Sequence, residues 1–194
     1  MKGQQTTSKR IAVAARELLD AEGVDSVTMR RVAAAVGITA MAVYRHYPDR
    51  DGLLNALADE GFAELASRLA HAPLKGDLMT RLRKGLDLNI DFALAAPRLF
   101  ELMFLRSRPG ARQFPQDFEA RKSPTANPFM ELVEEGIRDG VFEPCDPAQI
   151  AFEAGAMLQG LFMLRLGGRM DGSERDFRAI CHRALGRYLN GIRK

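Results

Sequence analysis

Apolar residues recur along the chain mostly at helical spacing. Ile11, Ala14, Ala15 and Leu18 follow the i, i+3, i+4, i+7 pattern of a helix with one buried face, and Gly23 stands where a left-handed cap belongs. The sequence holds no sustained alternation of apolar and polar residues and no Asn-Gly hairpin between β-branched runs. The pattern therefore predicts an all-α fold of about nine helices, of which the first covers about 8–22.

Two short helices are expected on either side of Gly37. Thr28 can cap a helix over about 28–36, and Thr39 can cap the next one, which Pro48 limits to about two turns. Both starts carry apolar pairs at hydrophobic-staple positions, Val27 with Val32 and Ile38 with Val43. Two short helices joined by a glycine-containing turn are typical of a helix-turn-helix.

Six further helices follow from the same criteria, at about 49–70, 77–95, 97–105, 128–139, 147–166 and 173–189. Residues 106–127 are rich in proline and are expected to form a long loop with at most one helical turn. The expected caps are Asp49, Asn127, Asp146 in a capping box with Gln149, and Ser173. We divide the chain into a helix-turn-helix domain over residues 1–55 and a second domain over residues 56–194.

Composition and charge narrow the class of protein. The chain has 194 residues and a net charge of +3. Residues 1–50 carry eight Lys and Arg against five Asp and Glu, whereas the rest of the chain carries equal numbers of both signs. A basic excess confined to one segment favours a polyanionic partner there.

Several classes are disfavoured by what the sequence lacks. No apolar run reaches the roughly 18 residues of a membrane span, and the N-terminus lacks the apolar core of a signal peptide, so we expect a cytoplasmic protein without a membrane partner. Cys145 and Cys181 have no metal-ligand spacing and are expected to be reduced and buried. The three histidines are scattered, and no nucleophile motif or phosphate loop occurs, so we expect no enzyme, metal site or cofactor.

The helix-turn-helix leaves Ala40, Met41, Tyr44, Arg45 and His46 facing away from its small core. Such a face is either the solvated side of a three-helix packing unit or a surface that lies against DNA. The segment "IAVAARELLDAEGVDSVTMRRVAAAVGITAMAVYRHYPDRDGLLNAL" resembles the DNA-binding domain of the tetracycline-repressor (TetR/AcrR) family in the order and spacing of its motifs. Beyond about residue 60 the similarity is mostly architectural.

The resemblance implies a role for each matching residue. Thr28 and Tyr44, with His46 and Arg50, are expected to contact phosphates, which set register without reading sequence. Base reading is expected from Thr39, Ala40 and Met41, with Arg45 as a further candidate. The sequence departs from many relatives at Ala40 and Met41, whose apolar surfaces suit thymine methyl groups. Arg30 and Arg31 are either phosphate contacts or solvated charges, and His46 is either a backbone contact or a structural histidine.

One short recognition helix binds DNA weakly, so two copies about 34 to 36 Å apart are expected. The helices at 147–166 and 173–189 are the candidate homodimer surface, because the first is apolar nearly all round and carries Ala151, Gly155, Ala156 and Gly160. The family resemblance implies the same four-helix interface. The alternative is that 147–166 is a plain core helix.

The resemblance also implies that the second domain encloses a cavity for a small-molecule effector, which shifts the dimer between DNA-competent and incompetent states. Candidate wall residues, each also a candidate for ordinary core, are Phe92, Phe100, Met103, Phe104, Phe129, Met130, Phe152, Met157 and Phe162. Asn89 and Gln159 are candidate polar anchors, or else surface residues. Such a wall suits a lipophilic or aromatic molecule.

The expected function is a ligand-responsive transcriptional regulator, most simply a homodimeric repressor of a palindromic double-stranded DNA operator. A transcriptional activator or a nucleoid-structuring protein of the same fold, and a helical carrier that does not regulate through DNA, stay open as alternatives.

Overall fold

The computed structural model describes residues 6–72 and 75–194. Within these ranges the chain is helical, and its β-structure is one isolated bridge. The helices are α1 (Thr7–Glu22), α2 (Met29–Val36), α3 (Ala40–Tyr44), α4 (Arg50–His71), α5 (Leu78–Ala95), α6 (Pro97–Phe100), α7 (Gln116–Glu119), α8 (Asn127–Arg138), α9 (Pro147–Leu166) and α10 (Glu174–Asn190). The predicted all-α fold is confirmed. In the described ranges no helix combines the length and hydropathy needed to cross a bilayer.

The chain divides into two compact units. The first joins the chain up to Gly61 with Ala96–Ala111, and the second joins Phe62–Ala95 with Arg112–Lys194. This division differs from the boundary expected after residue 55, because α4 is shared between the units and a later segment returns to the first one.

The first unit packs α1, α2 and α3 around side chains at the predicted hydrophobic-staple positions. Val27, Val32 and Val43 are fully buried. Thr28 and Thr39 cap α2 and α3, since their hydroxyl oxygens accept hydrogen bonds from the Arg31 and Ala42 amides at 3.3 and 3.2 Å. Gly37 has the left-handed φ of 74° between these helices, a conformation that favours glycine.

The returning segment of the first unit packs closely on α4. It consists of α6 and a π-helical turn at Glu101–Leu105, where one helix was expected over 97–105. A Cβ on Gly61 would lie 2.5 Å from Met103 Sδ and 2.9 Å from Leu99 Cδ2, so any larger residue would force these two side chains to shift. Arg98 Nη1 donates a 2.8 Å hydrogen bond to the Asp20 carbonyl near the end of α1.

The second unit is built from α5, α8, α9 and α10, with the second part of α4 and the short α7. Phe142 follows α8, is fully buried and lies against Gly136 of that helix. The tail pairs with the same loop through the bridge between Phe142 and Arg193, as Glu143 N donates to Ile192 O at 2.9 Å and Lys194 N donates to Val141 O at 3.2 Å.

Some local expectations are wrong. Asn127 does not cap α8: it is the first helical residue, and its Nδ2 donates to Arg121 O instead. Asp146 caps α9 through the Ala148 amide, but the side-chain amide of Gln149 donates to Glu153, so there is no capping box at this start. The box occurs at α10, where Ser173 and Asp176 bind each other's backbone amides.

The cysteines and the loop also differ in part from expectation. Cys181 is fully buried, and burial raises its pKa to about 11, whereas Cys145 is only partly buried. The loop over 106–127 contains the single turn α7, as allowed for above.

Candidate DNA interface and effector cavity

The outer face of α3 combines apolar and polar side chains at the surface of the first unit. Met41 is 67% exposed and Tyr44 is 46% exposed, although large apolar and aromatic side chains are usually buried. Arg45 and His46 follow at the end of the helix and are exposed, as is Thr39 at its start, while Ala40 is half-buried. Buried Val43 anchors the opposite side of the helix. The structure therefore brings all six predicted residues of this helix to one small region.

The two capping threonines can serve DNA as well as their helices. Each hydroxyl oxygen accepts a hydrogen bond from an amide of its own helix. A hydroxyl can accept and donate at the same time, so each O–H proton remains able to donate to an anionic oxygen. Thr28 is half-buried and Thr39 is exposed.

The four arginines named as DNA contacts differ in what already surrounds them. Arg31 forms a two-pronged pair with Glu22, at 2.8 and 2.5 Å, which raises the pKa of the arginine and lowers that of the carboxyl. Arg50 donates from Nε to Val27 O at 2.8 Å and from Nη2 to Val24 O at 2.7 Å. Arg30 and Arg45 are exposed, with no ion pair to another residue of the described ranges. Their guanidinium groups are thus the more accessible ones.

The second unit contains a small cavity of about 60 Å³. Its polar lining residues are Asn89 and Thr125, and its apolar ones are Leu69, Leu82, Gly85, Leu86, Pro128, Phe129, Leu132, Leu158 and Leu185. Asn89 Nδ2 donates a 2.8 Å hydrogen bond to the Gly85 carbonyl one turn earlier, which fixes the amide in orientation. Among the residues that the structure describes, no charged side chain lines the cavity.

Only two of the eleven predicted ligand contacts, Asn89 and Phe129, line this cavity. Phe92, Met130 and Phe162 are buried in the core of the second unit, and Phe100 and Met103 are buried in the first unit, to which Phe104 also belongs. Phe152 is 41% exposed and stacks on Phe114 at 4.2 Å, while Met157 and Gln159 are half-buried on α9. The lining is instead mainly leucine. The helical stripe of Leu82, Leu86 and Asn89 on α5 was the available sequence signal for it.

Helix α9 is apolar on both its buried and its exposed sides. Ile150, Ala154 and Phe162 face the core, whereas Phe152 and Met163 are 41% and 54% exposed. Exposed large apolar groups on one helix are typical of an interaction surface.

Comparisons with known proteins place these features in a family. Residues 11–57 match the family described as "Bacterial regulatory proteins, tetR family", and residues 82–188 match "Tetracyclin repressor-like, C-terminal domain". The chain belongs to the tetracycline-repressor family. The first match covers the helix-turn-helix, and the second covers most of the helices around the cavity. Family and fold are those of DNA-binding transcriptional regulators.

Solved structures share the fold over nearly the whole chain. A Rhodococcus sp. RHA1 protein of unknown function superposes with a TM-score of 0.80 and 26% identity, covering 100% of this chain and 98% of that one. A TetR variant from Acinetobacter baumannii AYE, solved in complex with minocycline, gives a TM-score of 0.65 at 20% identity, with coverages of 97% and 96%.

Curated relatives match this chain over shorter ranges. The transcriptional repressor DrrR1 of Streptomyces coeruleorubidus is 42% identical over 53 residues, which is 27% of this chain and 20% of that protein. The class A tetracycline repressor of Escherichia coli is 33% identical over 51% of this chain and 40% of its own length. The nucleoid occlusion factor SlmA of Photobacterium profundum is 28% identical, over 71% and 69% of the two chains.

Proposed function

We propose that this chain is a homodimeric repressor that binds a palindromic DNA operator and is released from it by a small lipophilic or aromatic effector. The observation that carries the proposal is the exposed outer face of α3, held in place by buried valines in a helix-turn-helix of the tetracycline-repressor family. Members of this family are typically regulators and not enzymes, so we propose no catalytic role.

In the proposed DNA surface, one set of residues contacts phosphates and another set contacts bases. Thr28, Tyr44 and His46, with Arg30, contact phosphates, which set the register of the protein on the duplex. Thr39, Ala40 and Met41 read bases in the major groove, with Arg45 at the edge of the reading surface. Because Met41 offers 67% of its surface and no hydrogen-bond donor, it favours contact with thymine methyl groups.

Self-association is proposed through α9 and α10. A recognition helix of five residues supports little affinity alone, so two copies about one turn of DNA apart are required. The exposed Phe152 and Met163 on α9 supply apolar surface for such an interface. A monomer at micromolar concentration in light-scattering measurements would contradict this part of the proposal.

The cavity of the second unit is the proposed effector site. The described lining, with nine apolar residues and no charged one, favours an uncharged apolar molecule, and Asn89 offers a polar anchor. At about 60 Å³ the cavity is smaller than a typical ligand site, so the effector must bind an expanded state of this unit. An effector that binds the expanded state more tightly shifts the population of DNA-competent molecules by its differential affinity.

The decisive experiment is selection of bound DNA from random duplexes, followed by affinity measurements on the recovered sequence. Tyr44→Ala should weaken binding to all duplexes alike, because it removes a backbone contact. Met41→Gln should instead change the preference among single-base variants of the recovered site, by about 1 to 3 kcal/mol at the contacted base pair. Val13→Gln, an equally apolar exposed position on α1, serves as the control that leaves both unchanged.

Two outcomes decide against this assignment. If Tyr44→Ala binds as tightly as wild type, the contact roles on α3 are wrong. If wild type recovers no preferred duplex at all, sequence-specific regulation is wrong for this chain.

Nucleoid structuring is a second candidate, favoured by the 28% identity to the nucleoid occlusion factor SlmA over 69% of that protein. A repressor binds at one or a few palindromes near regulated genes, whereas a nucleoid protein binds many sites. Mapping the bound sites along the chromosome distinguishes the two, and transcript levels after deletion of the gene distinguish a repressor from an activator.

A further inference from the structure

The start of α2 is tied to the first residue of α4. Before α2 the chain makes a 3-10 turn at Val24–Ser26, and Arg50 reaches this turn from 23 to 26 residues away in sequence. Its Nε donates to Val27 O at 2.8 Å, and its Nη2 donates to Val24 O at 2.7 Å. The carbonyl of Val27 belongs to the residue just before Thr28, which caps α2. One guanidinium therefore holds the backbone from which α2 begins.

The end of α2 is tied in the same manner to α1. Arg10 Nη2 donates a 2.8 Å hydrogen bond to the carbonyl of Val36, the last residue of α2. The last carbonyls of a helix lack partners within the helix, so an outside cation is well placed to satisfy one. Gly37 follows in its left-handed conformation and leads to α3.

We propose that Arg10 and Arg50 are positioning residues that hold α2 at its two ends, and that Arg50 does this in place of contacting a phosphate. The inference rests on the DNA-binding function proposed above. The two arginines fix where Thr28 and the start of α3 lie relative to each other. They thereby fix the spacing between the residues that contact phosphates and those that contact bases.

The chemistry of the arginine side chain supports this role. A guanidinium presents a rigid fork of five N–H donors, and Arg50 uses two neighbouring ones, on Nε and Nη2, for two carbonyls. Hydrogen bonds from a charged donor are stronger than neutral ones. The carboxylate of Asp25 lies 3.7 Å from Arg50 Nη2 and offsets its positive charge. Arg30, on α2 itself, has no ion pair within the described ranges and is the contrasting case.

Hydrogen exchange of the free protein tests the inference without DNA. Arg50→Met should speed amide exchange about tenfold or more at Val27 and at Arg31, whose amide Thr28 caps. Arg10→Met should do the same at Gly37 and Ile38. Arg30→Met removes an arginine from the same unit and should leave all four amides unchanged. Unchanged exchange at Val27 and Arg31 in Arg50→Met overturns the inference.

The salt dependence of DNA binding provides the second readout. Loss of a phosphate contact reduces the slope of log K against log salt by about 0.9 per protomer. Arg50→Met should keep the wild-type slope but bind the duplex recovered by selection about tenfold more weakly, with a smaller loss on a mixed-sequence duplex. A slope reduced by about 0.9, with equal losses on both duplexes, would show a phosphate contact and overturn the inference.

Arg50→Lys guards against a variant that merely fails to fold. Lysine keeps the charge but lacks the fork, so exchange at Val27 should still rise and selective binding should still fall. Wild-type behaviour of Arg50→Lys in both assays overturns the inference. A wild-type protein that prefers no duplex refutes the DNA-binding function, whereas the exchange data still decide whether the two arginines hold α2.

Discussion

The close contact between Gly136 and Phe142 predicts that Gly136→Ala destabilises the protein. A Cβ added at Gly136 would lie 2.3 Å and 2.6 Å from two ring carbons of Phe142 and 2.7 Å from Leu78 Cδ2. Carbon atoms normally approach to roughly 3.5 to 4.0 Å, so Gly136→Ala must displace a fully buried ring by about 1 Å. The phenyl ring has little room to move, because close-packed interiors contain few voids.

The expected change in the free energy of unfolding of Gly136→Ala is the difference between two opposing effects. Replacing glycine by alanine within a helix stabilises it by about 1 kcal/mol. Overpacking of a buried site costs about 1 to 3 kcal/mol, and three short contacts put this site towards the upper end. We therefore expect Gly136→Ala to lower the free energy of unfolding by about 1 to 2 kcal/mol. For a chain of this size the melting temperature should fall by about 2 to 8 °C.

Gly85→Ala is the matched control. Gly85 also lies within a helix, α5, but an added Cβ there meets nothing within 4 Å. The same chemical change should therefore raise the melting temperature by about 2 to 4 °C. Both variants are melted at one protein concentration without added ligand, since binding and self-association shift apparent stability. A Gly136→Ala protein that melts at or above wild type would refute the close packing of Phe142 on α8. So would equal losses in the two variants.

Three further predictions concern other contacts. Arg81 holds the pKa of the Glu135 carboxyl below its usual range. This ion pair therefore contributes stability that is present at neutral pH and lost as the pH falls through the lowered pKa. In urea unfolding, Glu135→Gln should lose less free energy of unfolding between about pH 6 and 3 than wild type does. Ser173→Ala should lower stability by about 1 kcal/mol in urea, because it removes the capping box of α10, and an unchanged midpoint would contradict it. Gly61→Ala should lower the melting temperature by several degrees, on the order of 2 to 6 °C, because its Cβ would overlap Met103, and a higher value would contradict this contact.

Local chemistry explains which parts of the fold could be predicted from the sequence. Thr28, Thr39, Asp49 and Ser173 cap their helices as expected, because a cap depends on amides only two or three residues away. Asn127 failed as a cap because α8 starts one residue earlier than expected, so that Asn127 is its first helical residue and its Nδ2 donates to the Arg121 carbonyl of the preceding loop. The arrangement of that loop depends on tertiary contacts, which helix-start patterns do not contain.

The candidate site shows the same limit. The exposure of Met41 and Tyr44 could be predicted, because the staple residues fix which side of α3 is buried. The hydrogen bonds of Arg50 could not be predicted, since its two acceptors lie more than 20 residues earlier in the chain and are backbone atoms that carry no residue identity. The cavity was expected among phenylalanine and methionine side chains, yet most of those side chains are packed in the cores of the two units. Leucines on facing helices were left to line it.

The bridge between the tail and the α8–α9 loop has a practical consequence for handling the protein. Ile192 and Lys194 hold the backbone on both sides of Phe142, so the position of that ring depends on residues 192–194. Loss of residues 192–194 would leave the sequence of every described helix intact and yet release the loop that follows α8. Any shortened or fused form of the protein should therefore keep residues 192–194, and mass spectrometry should confirm that they are present before any stability value is compared.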